Sequence, residues 1–137
     1  MILVDTNVLV ALVDERDGLH AAARRDLKRF EKKPLAVTTP VLTECHFLLP
    51  EKYLRQRLTF LLDHVGITSI EPDRPWWTDV FAWLEQYAEH EPDFADAQLA
   101  VLSGRDTSCR VWTYDREFRQ VWRRPDGTKI PVVGGRA

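Results

Sequence analysis

Two acidic residues follow short apolar runs of the kind that form buried strands. Asp5 comes directly after the run at residues 2–4, and Asp115 comes shortly after a second run at residues 111–113. In open sheets of parallel strands, ligands bind in the crevice beyond the carboxyl ends of the strands, so both acids are predicted to reach one crevice. The alternative is that each aspartate only caps the helix that follows it.

Glu44 lies on a helix that is predicted to begin at Pro40, with Thr39 as its N-cap. The spacing places Glu44 three residues after Val41 and four before Leu48, on a stripe that is expected to be buried. An ionised carboxylate without a partner would be costly there, and no lysine or arginine lies on the same helix. Glu44 is therefore expected to need a cation, a hydrogen-bond network or a water-filled crevice.

Asp93 and Asp96 are three residues apart at the start of another predicted helix. This is the spacing of an N-cap followed by an acid in the first helical turn, so a capping role is the simplest interpretation of Asp93. Asp96 shares a helical stripe with Leu99 and Ala100 and is expected to face inward, as Glu44 does. The two aspartates are therefore predicted to have different roles: Asp93 caps the helix, whereas Asp96 takes part in the reaction.

Four acids are thus predicted to face inward or into a crevice: Asp5, Glu44, Asp96 and Asp115. Carboxylate oxygens are the ligands that Mg²⁺ and Mn²⁺ prefer, and four carboxylates packed together would repel one another strongly without a metal. A centre of one or two such metals can activate water for in-line attack on phosphorus. The acids therefore predict a metal-dependent hydrolase, with phosphodiester hydrolysis as the natural reaction.

Short β-like runs alternate with helical periodicity along the chain. The predicted strands are residues 2–4, 35–38, 67–70, 111–113 and 130–133. The predicted helices are residues 8–13, 19–30, 40–50, 54–65, 77–88 and 95–102, with a short helix after residue 115. This alternation predicts a three-layer α/β/α sandwich with a mainly parallel central sheet, built by a single domain over residues 1–137. The turn residues at 124–127 could instead make the end of the chain a hairpin.

The overall composition is that of an ordinary globular protein, with 45% hydrophobic and 29% charged residues among 137. The 19 basic and 21 acidic residues give a net charge of −2, which excludes a bulk polycation that binds nucleic acid by charge alone. No apolar run is long enough for a membrane helix, and no basic leader precedes Asp5, so neither a membrane segment nor a signal peptide is expected. Cys45 and Cys109 form neither a disulfide framework nor a zinc motif, which favours a reducing cytoplasm.

Four short motifs surround the acids in order along residues 1–122. They are VDTNVL at residues 4–9, TPVLTEC at 39–45, DFADAQLA at 93–100 and TYDREF at 113–118. Their order and spacing resemble the PIN-domain ribonucleases, especially the VapC-type toxins of prokaryotic toxin–antitoxin modules. Each motif alone is weakly specific, whereas four in the same order are a specific signal.

The resemblance implies a PIN-like fold and a cytoplasmic Mg²⁺- or Mn²⁺-dependent endoribonuclease that acts on RNA. The implied primary metal ligands are Asp5 and Asp96, supported by Glu44 and Asp115, with Asp93 as a further candidate. The side chains implied in binding substrate or in orienting water and ligands are Thr6, Asn7, Thr113 and Arg116. Members of the family usually form homodimers and are inhibited by a cognate antitoxin, so both partners are expected.

Three other functions stay open at this point. The chain could be a PIN-domain RNA-processing nuclease without an antitoxin, or an inert PIN-like module that binds RNA or protein. It could also be a phosphatase on a related α/β sheet, with Asp5 as a covalent nucleophile. The phosphatase would need a second acid two residues after Asp5, where Asn7 stands. The inert module is disfavoured because all four acids are present.

Two basic segments and two tryptophans are further candidates for contacts. Residues 24–33 hold six lysines and arginines and are interpreted as a solvated helix face, with an RNA-phosphate track as the alternative. A second basic group, placed to meet phosphate near the acids, is Arg116, Arg119, Arg123 and Arg124. Trp76 and Trp83 are expected on one side of their helix, either in the core or on a dimer or antitoxin face.

Overall fold

A five-stranded parallel sheet forms the centre of the molecule in the computed structural model, which describes residues 1–72 and 75–135. The strands are β1 (Ile2–Val4), β2 (Leu35–Val37), β3 (Thr68–Ser69), β4 (Arg110–Trp112) and β5 (Val132–Val133). Their order across the sheet is β3-β2-β1-β4-β5. The chain therefore runs outward from β1 to β3 on one side and resumes beside β1 with β4 on the other.

Helices link the strands and cover the sheet on both sides. They are α1 (Thr6–Val13), α2 (His20–Phe30), α3 (Thr39–Leu48), α4 (Lys52–Val65), α5 (Trp77–Gln86), α6 (Phe94–Arg105) and α7 (Glu117–Gln120), with a 3₁₀ turn at Ala88–His90. Helix α1 packs against α2, α3 and α4, and α5 packs against α6. The prediction of a three-layer α/β/α sandwich is confirmed, and every strand pairing in the described sheet is parallel.

Local sequence signals explain most of the element boundaries. Helix α4 ends at Gly66, whose φ of 80° is the left-handed conformation that glycine adopts without steric cost. Helix α3 begins one residue earlier than predicted, because Thr38 rather than Thr39 is its N-cap and accepts a hydrogen bond from the backbone N–H of Val41. None of the described helices is long and apolar enough to cross a membrane.

The end of the chain combines the two arrangements that the sequence left open. A turn forms at residues 124–127, where Gly127 has a φ of 86° and an isolated antiparallel bridge joins Arg123 to Lys129. The chain then runs on into β5, which pairs in parallel with β4 through Val111 and Val132. The turn was therefore correctly predicted, whereas the last strand belongs to the parallel sheet.

Two predicted apolar stripes differ from the observed ones. On α3 the buried residues are Val41 and Cys45, with Leu49 buried just after the helix, whereas Leu48 is 58% exposed. On α5 and at its start, Trp83 is buried but Trp77 is 55% exposed. Helical periodicity identifies an apolar face, but a neighbouring layer must cover that face before it becomes core.

Candidate functional site

The acids that follow β1 and β4 lie at the place where the chain order of the sheet changes direction. β1 pairs with β2 on one side and with β4 on the other, so a crevice opens beyond the carboxyl ends of β1 and β4. The backbone N–H of Asp5 donates to the carbonyl of Trp112 at 3.0 Å, which extends the β1–β4 pairing as far as the acid. The topology thus places Asp5 beside the segment that carries Asp115.

Asp5 is buried, with 4% of its surface exposed, and both of its carboxylate oxygens accept hydrogen bonds. Oδ1 accepts from the backbone N–H of Thr6 at 2.8 Å, so Asp5 is the N-cap of α1. Oδ2 accepts from the hydroxyl of Thr113 at 2.8 Å and from Nδ2 of Asn7 at 3.4 Å. Burial raises the pKa of Asp5 to about 6, although the hydrogen bonds from Thr113 and Thr6 oppose that rise.

Asn7 and Thr113 are bonded to the acids and to each other. Thr113 Oγ1 accepts from Asn7 Nδ2 at 3.2 Å and from the backbone N–H of Asp115 at 3.1 Å, while donating to Asp5. Asn7 Oδ1 accepts from the backbone N–H of Tyr114 at 3.1 Å. This network favours an orienting role for Asn7 and Thr113, because their polar atoms already have partners within the protein.

Glu44 reaches the same crevice from α3 and is half-buried. Its Oε1 accepts a hydrogen bond from the hydroxyl of Thr6 at 2.9 Å. Burial, together with a hydrogen bond and the charge from Asp93, raises the pKa of Glu44 to about 7. Glu44 and Leu48 were predicted to share a buried stripe of the helix. Both instead line the crevice, where Leu48 is largely exposed.

Asp93 and Asp96 form a reciprocal capping box at the start of α6. Asp93 Oδ1 accepts from the backbone N–H of Asp96 at 2.8 Å, and Asp96 Oδ2 accepts from the backbone N–H of Asp93 at 3.2 Å. Asp93 thus caps the helix as predicted. Burial and then the charges of Asp93, Asp5 and Asp115 raise the pKa of Asp96 to about 8.

All of these acids line one cavity of about 370 Å³. Its lining residues are Asp5, Thr6, Asn7, Val10, Asp17, Leu19, Glu44, Leu48, Asp93, Asp96 and Asp115. Among the described residues, the lining holds no lysine, arginine or histidine, and none of its acids forms an ion pair. The described residues of the lining therefore carry negative charge that no basic side chain among them neutralises.

The donor set of this cavity fits a hard divalent cation in chemical type. It offers carboxylate oxygens from five segments of the chain, and such oxygens are the ligand class that Mg²⁺ and Mn²⁺ prefer. Within residues 1–72 and 75–135, no three His, Cys, Asp or Glu side chains form a ready cluster able to hold a metal ion. The carboxylates are instead held by Thr6, by Thr113 and by the capping box, so a cation would have to draw them together.

The sequence model of the PIN domain matches residues 2–123. The chain belongs to the PIN-domain family. It is similar to the crystal structure of VapC20 from Mycobacterium tuberculosis, a toxin that cleaves the sarcin–ricin loop, with 22% sequence identity and a TM-score of 0.72. The similarity covers 87% of this chain and 93% of VapC20. A comparison with curated proteins finds no match. The predicted resemblance to PIN-domain proteins of the VapC type is confirmed.

The cavity of this PIN domain also contains residues that the sequence analysis missed. Asp17 and Leu19 come from the turn between α1 and α2, and Val10 comes from α1. Asp17 accepts a hydrogen bond from the backbone N–H of Leu19 at 2.8 Å, so its local pattern is that of an ordinary turn. No sequence signal marks these residues, because their place at the cavity depends on how α1 and α2 fold back over it.

The arginines that flank Asp115 do not line the acidic cavity, contrary to the predicted phosphate contact near the acids. Arg116 is exposed next to Asp115, but none of the four predicted phosphate-contacting arginines lines the acidic cavity. Arg119 donates to the carbonyl of Gly134 at 3.0 Å, and Arg124 is buried and donates to the carbonyl of Thr107 at 3.4 Å. These two guanidinium groups are therefore hydrogen-bonded to backbone carbonyls and do not line the cavity.

The basic segment on α2 is a solvated face, as predicted, with one exception. Its lysines and arginines are exposed, but Asp26 in the middle of the segment is completely buried. Arg29 NH1 donates to Asp26 Oδ1 at 3.2 Å, and Arg25 Nε lies 3.7 Å from the same oxygen. Part of the positive charge of this PIN domain's α2 therefore neutralises a buried acid.

The thiol next to Glu44 is not a nucleophile in this structure. Cys45 is buried, and burial together with the charges of Glu44 and Asp5 raises its pKa to about 12. Burial also raises the pKa of Cys109 above its ordinary value. Because the thiolate is the reactive form of cysteine, neither side chain is set up for covalent catalysis.

Proposed function

We propose that this PIN domain is a Mg²⁺- or Mn²⁺-dependent endoribonuclease that hydrolyses RNA phosphodiester bonds as the toxin of a VapC-type module. One observation carries the proposal: six carboxylates from five segments of the chain line a single cavity without a lysine or arginine among the described lining residues. Such a cavity suits a divalent cation and, through it, the anionic phosphate of RNA. The family membership and the VapC20-like fold support the same function.

Asp5 and Asp96 are the proposed primary metal ligands, as the resemblance to PIN-domain nucleases implies, and both carboxylates line the cavity, Asp5 buried and Asp96 half-buried. Glu44 and Asp115 complete the site from α3 and from the segment after β4, and Asp93 is a further candidate ligand. When bound, the cation supplies Lewis-acid chemistry, which neutralises phosphate charge and activates water for in-line attack on phosphorus.

The neighbouring polar side chains orient these acids. The hydroxyl of Thr6 holds Glu44 Oε1, and the hydroxyl of Thr113 holds Asp5 Oδ2. Asn7 connects Asp5 to the backbone of Tyr114. A carboxylate that is held in this way loses less conformational freedom when it binds a cation, which is the usual contribution of groups around a metal site.

The proposed substrate contact outside the cavity is Arg116. Its side chain is exposed next to Asp115, where it can reach an RNA phosphate adjacent to the one held at the acids. Such a contact is electrostatic and independent of base identity. The choice of RNA therefore depends on the shape of the loop that enters the cavity.

The proposed protein partners are a cognate antitoxin and a second copy of the chain. The surface carries several large exposed apolar side chains: Leu19, Phe47, Leu48, Tyr53, Phe60, Trp77 and Phe81. Exposed apolar groups in such number are typical of surfaces that contact other macromolecules. Light scattering coupled to size exclusion tests the dimer, with a mass of about twice 15.9 kDa as the expected result.

RNA cleavage by matched variants tests the proposed function. The wild type should cut a single-stranded RNA or a sarcin–ricin hairpin with Mg²⁺ or Mn²⁺ and not with excess chelator. Asp5→Asn and Asp96→Asn should each lower the rate on the order of 10³-fold or more. The exposed Asp63→Asn on α4 is the control with the same change of charge and should retain the wild-type rate.

Folded Asp5→Asn and Asp96→Asn proteins that cleave RNA at the wild-type rate would contradict the proposal, as would full activity in chelator. Sequencing of RNA ends after induced expression of the wild type and of Asp5→Asn then separates a toxin from a processing enzyme. A toxin should produce new ends and growth arrest only with the wild type, whereas a processing enzyme should produce defined ends without arrest.

A further inference from the structure

Asp26 on α2 is completely buried, and four polar groups surround its carboxylate. Oδ2 accepts from the phenol of Tyr114 at 2.8 Å and from the backbone N–H of Gly135 at 2.8 Å. Oδ1 accepts from Arg29 at 3.2 Å and lies 3.7 Å from Arg25. A buried carboxylate with this many partners orders each group that it holds, because leaving any of them unpaired would be costly.

Tyr114 links this buried acid to the cavity. Its phenol accepts from Trp112 Nε1 at 3.2 Å while donating to Asp26, and burial raises its pKa above the ordinary value, so it stays protonated. Its backbone N–H donates to Asn7 Oδ1, and Asn7 Nδ2 in turn donates to Asp5 and to Thr113. Tyr114 therefore links the two acids, because its phenol is bonded to Asp26 and its backbone N–H to Asn7, which is bonded to Asp5.

The segment after β5 holds the other side of Asp26. Gly134 has a φ of 100°, and a Cβ at this position would lie 2.5 Å from Cδ1 of Trp112. Only glycine fits so close to the indole, and this approach brings the N–H of Gly135 to Asp26. Asp26 thus joins α2, the segment after β4 and the end of the sheet at one point.

We propose that Asp26 is a positioning residue for the carboxylate cavity, acting through Tyr114 and Asn7 on Asp5. The inference rests on the proposed function, since it assigns Asp26 a part in holding the metal ligand in place. Asp26 itself does not line the cavity, so it acts on Asp5 through other side chains. Groups that orient metal ligands from behind typically contribute about 10- to 100-fold in metal affinity or activity.

Three variants test the link through Tyr114 against a purely structural role. Asp26→Ala leaves the Tyr114 phenol and the Gly135 N–H without their acceptor, whereas Asp26→Asn keeps an acceptor oxygen for both. Tyr114→Phe removes the phenol but keeps the backbone N–H that meets Asn7. The matched control is Ile67→Ala, a cavity-forming change next to β3, at the opposite edge of the sheet from β5.

Each variant is measured for RNA cleavage, for Mn²⁺ affinity by calorimetry and for the side-chain amide resonances of Asn7 by NMR. Asp26→Ala and Tyr114→Phe should lower kcat and Mn²⁺ affinity about tenfold, leave KM for RNA unchanged and shift the Asn7 resonances. Asp26→Asn should retain most of the wild-type values. Ile67→Ala should unfold at a lower temperature than the wild type. Measured below that temperature, it should keep the wild-type kcat, Mn²⁺ affinity and Asn7 resonances.

Folded Asp26→Ala and Tyr114→Phe proteins with wild-type kcat, Mn²⁺ affinity and Asn7 resonances would overturn the proposal. So would an equal loss of activity in Ile67→Ala, because the effect would then follow from destabilisation alone. If the wild type neither cleaves RNA nor binds Mn²⁺, the proposed function fails. The Asn7 resonances then decide by themselves whether Asp26 positions Asn7. A shift in Asp26→Ala that Asp26→Asn reverses supports positioning, and an unmoved resonance overturns it.

Discussion

Asp5 and Asp26 are both buried aspartates, but their charges meet different surroundings. Asp26 has two arginines beside it, the phenol of Tyr114 and a backbone N–H, so its negative charge is balanced within the protein. Asp5 receives hydrogen bonds from Thr6, Thr113 and Asn7 but has other acids as its charged neighbours. One carboxylate is balanced within the fold, and the other is placed in a cavity that gathers more negative charge.

This difference separates a structural acid from a ligand-binding one. A buried charge that serves only the fold is normally paired, because an unpaired charge costs several kcal/mol or more. The acids of the cavity keep their hydrogen bonds, yet burial and then repulsion by neighbouring acids raise the pKa of Asp5, Glu44 and Asp96 to about 6, 7 and 8. Such an arrangement is stable at neutral pH only if protons or a cation occupy it.

The stability of the metal-free protein should fall as the pH rises. In the folded state Asp5, Glu44 and Asp96 hold protons at pH values where the unfolded chain has already released them. Their contribution is therefore favourable near pH 4 and is lost as the pH rises through about 6, 7 and 8. For buried Asp5 alone, the loss across its window is on the order of 3 kcal/mol. Urea unfolding in the presence of chelator, repeated from pH 4 to pH 8, measures this change in the free energy of unfolding.

Asp5→Asn is the control, since it removes one of these titrating groups and should give a flatter stability profile than the wild type. Added Mn²⁺ should restore wild-type stability at pH 8 but not at pH 5, where protons compete for the carboxylates. Parallel profiles for the wild type and Asp5→Asn would show that the acids of the cavity do not differ from paired ones such as Asp26.

Asp93 should show a smaller effect that separates capping from charge. Asp93→Asn keeps a side-chain oxygen for the N–H of Asp96 and should leave the free energy of unfolding nearly unchanged. Asp93→Ala removes the cap and should cost about 1 kcal/mol. If Asp93 also serves the metal, both variants should weaken Mn²⁺ binding. Equal affinity in the wild type and both variants would limit Asp93 to capping.

The sequence predicted five of the six acids of the cavity, all but Asp17, and most of their positions follow from local rules. Asp5 and Asp115 come after strands, and parallel strands end at one edge of a sheet. The Asp93–Asp96 pair has the spacing of a capping box, which is a property of a single helical turn. Each of these features is recognised from a local pattern, although Asp5 and Asp115 meet only because β1 pairs with β4.

The features that the sequence did not reveal depend on such distant contacts. Asp26 stands in a basic segment that has the pattern of a solvated face, and one of its hydrogen bonds comes from Gly135, which lies 109 positions later in the chain. Leu48 fits an apolar stripe but remains exposed at the cavity. Arg119 and Arg124 donate hydrogen bonds to backbone carbonyls of other segments. Periodicity and local spacing carry no information about these partners.

Calorimetric titration of Mn²⁺ at pH 8 tests most directly whether the carboxylate cavity is a cation site. The wild type and the exposed control Asp63→Asn should bind Mn²⁺ with the same affinity. Asp5→Asn and Asp96→Asn should bind at least about 100-fold more weakly, because each removes a charged oxygen ligand. No binding by the wild type at millimolar Mn²⁺, or equal binding by all four proteins, would contradict the account.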